Sequence, residues 1–173
     1  MTELERQAPR VLVGVDGSPA ARAALEFAVR EARMRGATLV AVMAVDVPDY
    51  AWIDPYSVRS HPEAHTVEMA EGRLRSVLSE LDTIGVQIDP VVTTMSAAAA
   101  LVGRSAGSDL LVVGSRRHGG FRGLVMGSVS MQCVLHAHCP VTVVRPEPRT
   151  EETAGRERRT LTDRRRDTVA PFI

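Results

Sequence analysis

Arg10-Val11-Leu12-Val13-Gly14-Val15-Asp16-Gly17-Ser18-Pro19 is the stretch from which the fold can be read. Its first seven residues are a short, nearly continuous apolar run. That is the pattern of a strand buried on both faces of a parallel sheet. Gly17-Ser18-Pro19 stops the strand and opens a helix, with Ser18 as N-cap and Pro19 at the first helical position. Ala21, Ala24, Leu25, Ala28, Val29 and Ala32 then recur at the spacing of one helical face, and Gly36 ends the helix.

The same alternation continues outward. Thr38 to Val45 reads as a second strand. The segment from Asp46 to Ser60 holds Pro48, Pro55, Tyr50, Trp52 and Tyr56 and reads as a long loop. Its aromatics either cover a ligand or pack on one another. Pro62 opens a helix with Val67, Ala70, Leu74, Val77, Leu78 and Leu81 on one face and Gly85 near its end. Val86 to Val92 is a third strand, and Pro90 assigns it to a sheet edge. Ser96 caps a short Ala-rich helix, Asp109 to Gly114 is a fourth strand, a helix runs from about Ser128 to Ala137, and Val141 to Arg145 is a fifth strand. Strands alternating with helices specify an α/β fold with right-handed crossovers. The expectation is an open five-stranded parallel sheet in the order 3-2-1-4-5 with helices on both faces, Rossmann-like. Residues 1–8 are read as a flexible N-terminus and 9–146 as the domain. Residues 147–173 are read as a disordered, charged tail with seven Arg and six acids.

Composition narrows the chemistry. The 173 residues carry 21 basic and 21 acidic side chains, a formal net charge of zero. That balance leaves no broad footprint for nucleic acid or an anionic membrane. All 21 basic residues are Arg, and there is no Lys. A P-loop NTPase and a pyridoxal-phosphate enzyme are therefore excluded, because each needs a Lys. No apolar run approaches the length of a membrane span, and Met1 to Arg10 is charged rather than signal-like. Two Cys do not form a disulfide framework, so a reducing cytoplasm is the expected setting.

In an open doubly wound sheet, ligands bind beyond the carboxyl ends of strands where the strand order reverses. Here that point lies between strands one and four, at Val15-Asp16-Gly17 and Val113-Gly114-Ser115. The loop that follows strand four runs from Gly114 to Ser130 through Arg116, Arg117, His118, Gly119, Gly120 and Arg122. Glycines let backbone N–H groups approach a phosphate, and Gly127-Ser128 opens a helix whose N-terminus favours an anion.

Three stretches together carry a specific resemblance. They are Val11 to Pro19, the loop Gly114 to Ser130, and His138-Cys139-Pro140-Val141-Thr142-Val143-Val144-Arg145. Over residues 9–146 the chain resembles the universal stress protein family, whose fold is also described as adenine-nucleotide alpha-hydrolase-like. The family's nucleotide-binding branch has a loop of form G-x2-G-x9-G-S/T. Gly114 matches the first position and Gly127-Ser128 the last, but Arg117 occupies the middle Gly position. An Arg there blocks the site if that backbone needs positive φ, and clamps a triphosphate if it does not.

The resemblance implies ATP as cofactor, with or without Mg2+. Asp16 would contact the adenine or ribose side, backed by Gly14 and Val15, and Ala44 would line the adenine pocket. Val113, Gly114 and the loop residues Ser115, Arg116, Arg117, His118, Gly119 and Gly120 would approach the ribose and phosphates, and Gly127 would open the helix beneath them. Ser128, Val129 and Ser130 would offer hydroxyls and N–H groups to the phosphates. Read without the family, Asp16 is an Asx-turn residue. The resemblance also implies a homodimer paired through Pro140 to Arg145, and a stress-response sensor or regulator rather than an enzyme. A slow ATPase and a nucleotide-free interaction protein are the alternatives.

Other motifs carry no chemistry. Gly103-Arg104-Ser105-Ala106-Gly107 matches G-x-S-x-G, but in the order helix, Ser, strand, the reverse of a nucleophile elbow. His61-Pro62-Glu63-Ala64-His65 is not a zincin signature, and His136-Ala137-His138-Cys139 lacks enough ligands for zinc. Cys133 is read as core.

Overall fold

The computed structural model describes residues 8–45, 62–115 and 126–146. The expected loop aromatics Tyr50, Trp52 and Tyr56, His61, Arg122, and the expected flexible start and charged tail lie outside them, apart from Ala8. In chain order the elements are β1 (Arg10–Gly14), α1 (Pro19–Arg35), β2 (Thr38–Ala44), α2 (Pro62–Ser79), β3 (Ile88–Thr93), α3 (Ala97–Ser105), β4 (Leu110–Gly114), α4 (Ser128–His136) and β5 (Val141–Val144). The five strands form one parallel sheet in the order β3-β2-β1-β4-β5, as expected.

Strand alternation sorts the core into two layers. Val11, Val13 and Val15 face a cluster completed by Ala24, Leu25, Ala28 and Val29 of α1 and Ala70, Leu74 and Leu78 of α2. Leu12 faces the opposite way, into a cluster with Ala100 and Leu101 of α3 and Cys133 of α4. A strand with both parities buried needs an unbroken apolar sequence, which is the signal in residues 11–15.

The element boundaries follow local chemistry. Ser18 caps α1, its Oγ accepting from the Ala21 N–H at 3.1 Å, with Pro19 beside it. Gly36 closes α1 in the left-handed region (φ 58°), the conformation that favours Gly at a helix end. β1 stops at Gly14, two residues earlier than the apolar run suggests, because Asp16 turns the chain: its Oδ1 accepts from the Ser18 N–H at 2.9 Å. β3 begins at Ile88 rather than Val86, because Gly85 (φ 76°) and the Val86 N–H to Thr83 carbonyl bond (3.0 Å) keep Val86 in a turn. Pro90 does lie on an edge strand, opposite Ala41 of β2.

Candidate functional site

β1 and β4 are adjacent, with Leu12 opposite Leu111 and Val13 opposite Val112, and their carboxyl ends open onto one cleft. It is open to solvent, and its roughly 650 Å3 of empty space includes that open solvent. Gly14, Val15 and Asp16 at the end of β1, and Val113 and Gly114 at the end of β4, form its floor. Val42 and Ala44 of β2 wall one side. Ser18, Ala20 and Ala21 come from the start of α1, Ala97 and Leu101 from α3, and Gly127, Val129 and Ser130 from the start of α4.

Two glycines make this convergence possible. A Cβ on Gly114 would meet the Ala20 carbonyl carbon and oxygen at 2.5 Å and the Ala21 nitrogen at 2.9 Å. Only a bare backbone lets the first turn of α1 lie on the end of β4. A Cβ on Gly14 would meet Leu101 Cδ1 at 3.0 Å, so that glycine leaves room for the α3 side chain in its present position. Neither glycine has positive φ, so each provides space rather than an unusual backbone.

Three helix starts therefore surround the cleft, and they differ in one respect. Ser18 caps α1, and Ser96 caps α3 by accepting from the Ala99 N–H at 3.4 Å. Gly127 at the N-cap of α4 has no side chain to offer, and among the described residues no side-chain hydrogen bond caps that helix. A helix start without a side-chain cap is a general setting for an anion.

Nine of the residues expected at the site line this cleft: Gly14, Val15, Asp16, Ala44, Val113, Gly114, Gly127, Val129 and Ser130. Ser115 and Ser128 do not: the Ser115 N–H is held by the Val144 carbonyl of β5 at 2.8 Å, and Ser128 is exposed. Arg116, Arg117, His118, Gly119 and Gly120 lie outside the described residues. Ser130 departs from its expected use. Its hydroxyl is buried and donates to the Gly114 carbonyl at 2.8 Å. Ser18, Ala20, Ala21, Val42, Ala97 and Leu101 were not foreseen. Asp16, itself exposed, is the only titratable side chain among the described lining residues.

Away from the cleft, the G-x-S-x-G serine closes a helix. Ser105 is fully buried at the end of α3, donates to the Val102 carbonyl at 2.6 Å and accepts from the His138 N–H at 2.9 Å. Cys133 is fully buried, as expected of a core residue. Among the described residues His136, His138 and Cys139 belong to no group of three or more potential metal ligands.

The model of the universal stress protein family matches residues 8–145, nearly all of the described fold. The chain belongs to that family. Universal stress protein Rv2005c of Mycobacterium tuberculosis is 38% identical over 139 residues, which cover 78% of this chain and 45% of that protein. The chain thus spans about half the length of the curated relatives it matches. Among solved structures, hypothetical protein MJ0577 shares the fold with a TM-score of 0.65 at 17% identity, over 81% of this chain and 97% of that one. A universal stress protein solved in complex with cAMP shares it with a TM-score of 0.55 at 22% identity, over 80% of this chain and 98% of that one. No helix among the described residues is long and apolar enough to cross a membrane.

Proposed function

We propose that this family member binds an adenine nucleotide, ATP in the first instance, in the cleft between β1 and β4. The observation that carries the reading is the convergence of three helix starts on that cleft, with only α4 lacking a side-chain cap. Neighbouring strands lie about 4.8 Å apart, so the cleft runs roughly 10 Å from β2 to β4. The base would lie toward the apolar wall of Val42, Ala44 and Val15, with Asp16 near the ribose. The phosphates would lie over Gly127, Val129 and the start of α4, where N–H groups and the helix dipole favour negative charge. A neighbour of the same fold was solved with cAMP, an adenine nucleotide.

The described cleft holds one carboxylate, Asp16, and no His. One carboxylate is a poor basis for general acid–base catalysis or for a tightly held Mg2+. The proposal is of a cytoplasmic nucleotide sensor or regulator in the stress response rather than an enzyme. Heat-denaturing freshly purified protein and assaying the supernatant for nucleotide, followed by calorimetric titration of ATP into the stripped protein, tests it. Neither released nucleotide nor binding heat would leave the interaction-protein alternative. Steady phosphate release that is lost in Asp16→Ala would favour the slow ATPase.

The homodimer belongs to the same proposal. β3, at one sheet edge, carries Asp89 and Pro90, which discourage strand pairing, whereas β5 carries only Val and Thr. Beside β5, α4 exposes Met131, Val134 and Leu135 at helical spacing. Leu135→Glu should convert a dimer to a monomer in sedimentation without loss of fold. A chain that is monomeric before the substitution would reject this part.

A further inference from the structure

We infer that Ser130 is a positioning residue for the anion-binding start of α4, holding that turn at the end of β4 rather than touching the phosphates itself; the inference rests on the nucleotide reading above. Its hydroxyl is buried and donates to the Gly114 carbonyl at 2.8 Å, across sixteen residues of sequence. That bond spends its one proton on the floor of the cleft.

The bond matters because, within one protomer, α4 is held by less apolar burial than α1. α1 buries seven side chains, whereas α4 buries only Ser130 and Cys133. Met131, Val134 and Leu135 point outward. Within one protomer, Cys133 and the adjacent Val129 therefore fix the position of α4 less firmly than the seven buried side chains of α1 fix that helix. Hydrogen bonds from two buried serines flank it. Ser130 ties its first turn to Gly114, and Ser105 of α3 accepts from the His138 N–H just beyond its last turn. The first of these sets how far the uncapped N–H groups of α4 stand from the strand-end floor. A helix start binds an anion through N–H groups in fixed directions, so an error in its placement costs affinity for the phosphates and not for the base.

The test compares Ser130→Ala and Ser130→Thr with the unaltered protein in two measurements. The first is hydrogen exchange in the nucleotide-free state at the Met131 amide, which donates to the Gly127 carbonyl at 2.9 Å and closes the first turn of α4. The second is calorimetric affinity for ATP and for adenosine. Loss of one buried neutral hydrogen bond should speed exchange and weaken ATP in Ser130→Ala by about fivefold to tenfold. Adenosine affinity should stay as it was, and Ser130→Thr, which keeps the hydroxyl, should restore both properties. Weakened ATP with unchanged exchange would mean that the hydroxyl contacts phosphate directly, and would overturn the inference. So would equal losses for ATP and adenosine, or no loss for either. If the unaltered protein binds neither ligand, the nucleotide reading itself fails, a result distinct from any behaviour of the variants.

Discussion

Gly114→Ala tests the architecture of the cleft most directly. Two effects of opposite sign compete. Ala restricts the unfolded chain more than Gly and suits a strand better, which by itself would stabilise by about 0.5–1 kcal/mol. Against it stands the contact geometry. The new Cβ would lie 2.5 Å from the carbonyl carbon and oxygen of Ala20 and 2.9 Å from the nitrogen of Ala21. Ordinary carbon contacts are about 3.5–4.0 Å, so α1 and β4 must part by roughly 1 Å. All three atoms are backbone of a helix whose inner face carries Ala24, Leu25, Ala28 and Val29, so no side chain can rotate away. Overpacking of this kind costs about 1–3 kcal/mol, and a rigid neighbour puts it at the upper end. Sterics therefore win. A net loss of about 2 kcal/mol should lower the melting midpoint by roughly 5–10 °C in a domain of this size. Urea unfolding of the purified variant reads the same quantity. Ala20, Ala21 and Gly114 all line the cleft, so ATP affinity should fall with stability. Gly72→Ala in α2 is the matched control, because a Cβ there meets nothing within 4 Å. It should stabilise by about 0.5–1 kcal/mol from helix propensity alone. A Gly114→Ala midpoint equal to or above that of the parent would refute the close approach of α1 to β4.

Three further outcomes follow from the same geometry. Ser18→Ala removes the acceptor of the Ala21 N–H and should cost about 1 kcal/mol in urea unfolding, with no loss counting against Ser18 as the cap of α1. Ala44→Leu should narrow the β2 side of the cleft and weaken adenosine and ATP alike by at least about tenfold, or 1.4 kcal/mol; a loss confined to ATP would show the base lies elsewhere. Burial pushes the thiols of Cys133 and Cys139 above the ordinary range, helped by the charge of Asp109 at Cys139. The folded state then holds those protons more tightly than the unfolded chain, so this source of stability is complete below about pH 8.5 and is lost as the pH rises through the folded-state values. With no Lys in the chain, few other groups titrate there, and a urea midpoint that rises between about pH 8 and pH 10 would contradict it.

Periodicity made the fold legible because a strand buried on two faces and a helix buried on one leave different marks. Residues 11–15 fill both core layers, and Ala24 to Ala32 fill one. Element ends were less legible, because a single polar group moves them. The Asp16 carboxylate ends β1 at a point where apolar character continues through Val15. The site was half legible for a related reason. Strand-end loops show where a crevice opens, but its walls come from helices whose inward residues look like ordinary core. Leu101 follows the apolar face of α3, and its side chain packs close against Gly14 at the cleft. The signal that could have found it is that both central strands, β1 and β4, end in Gly. Such glycines are readily assigned to phosphate, yet neither has positive φ. Their first use is to let α1 and α3 approach the strand ends. The helix starts that result line the cleft. The start of α4 differs from them in having a glycine cap, and Ser130 ties it to Gly114.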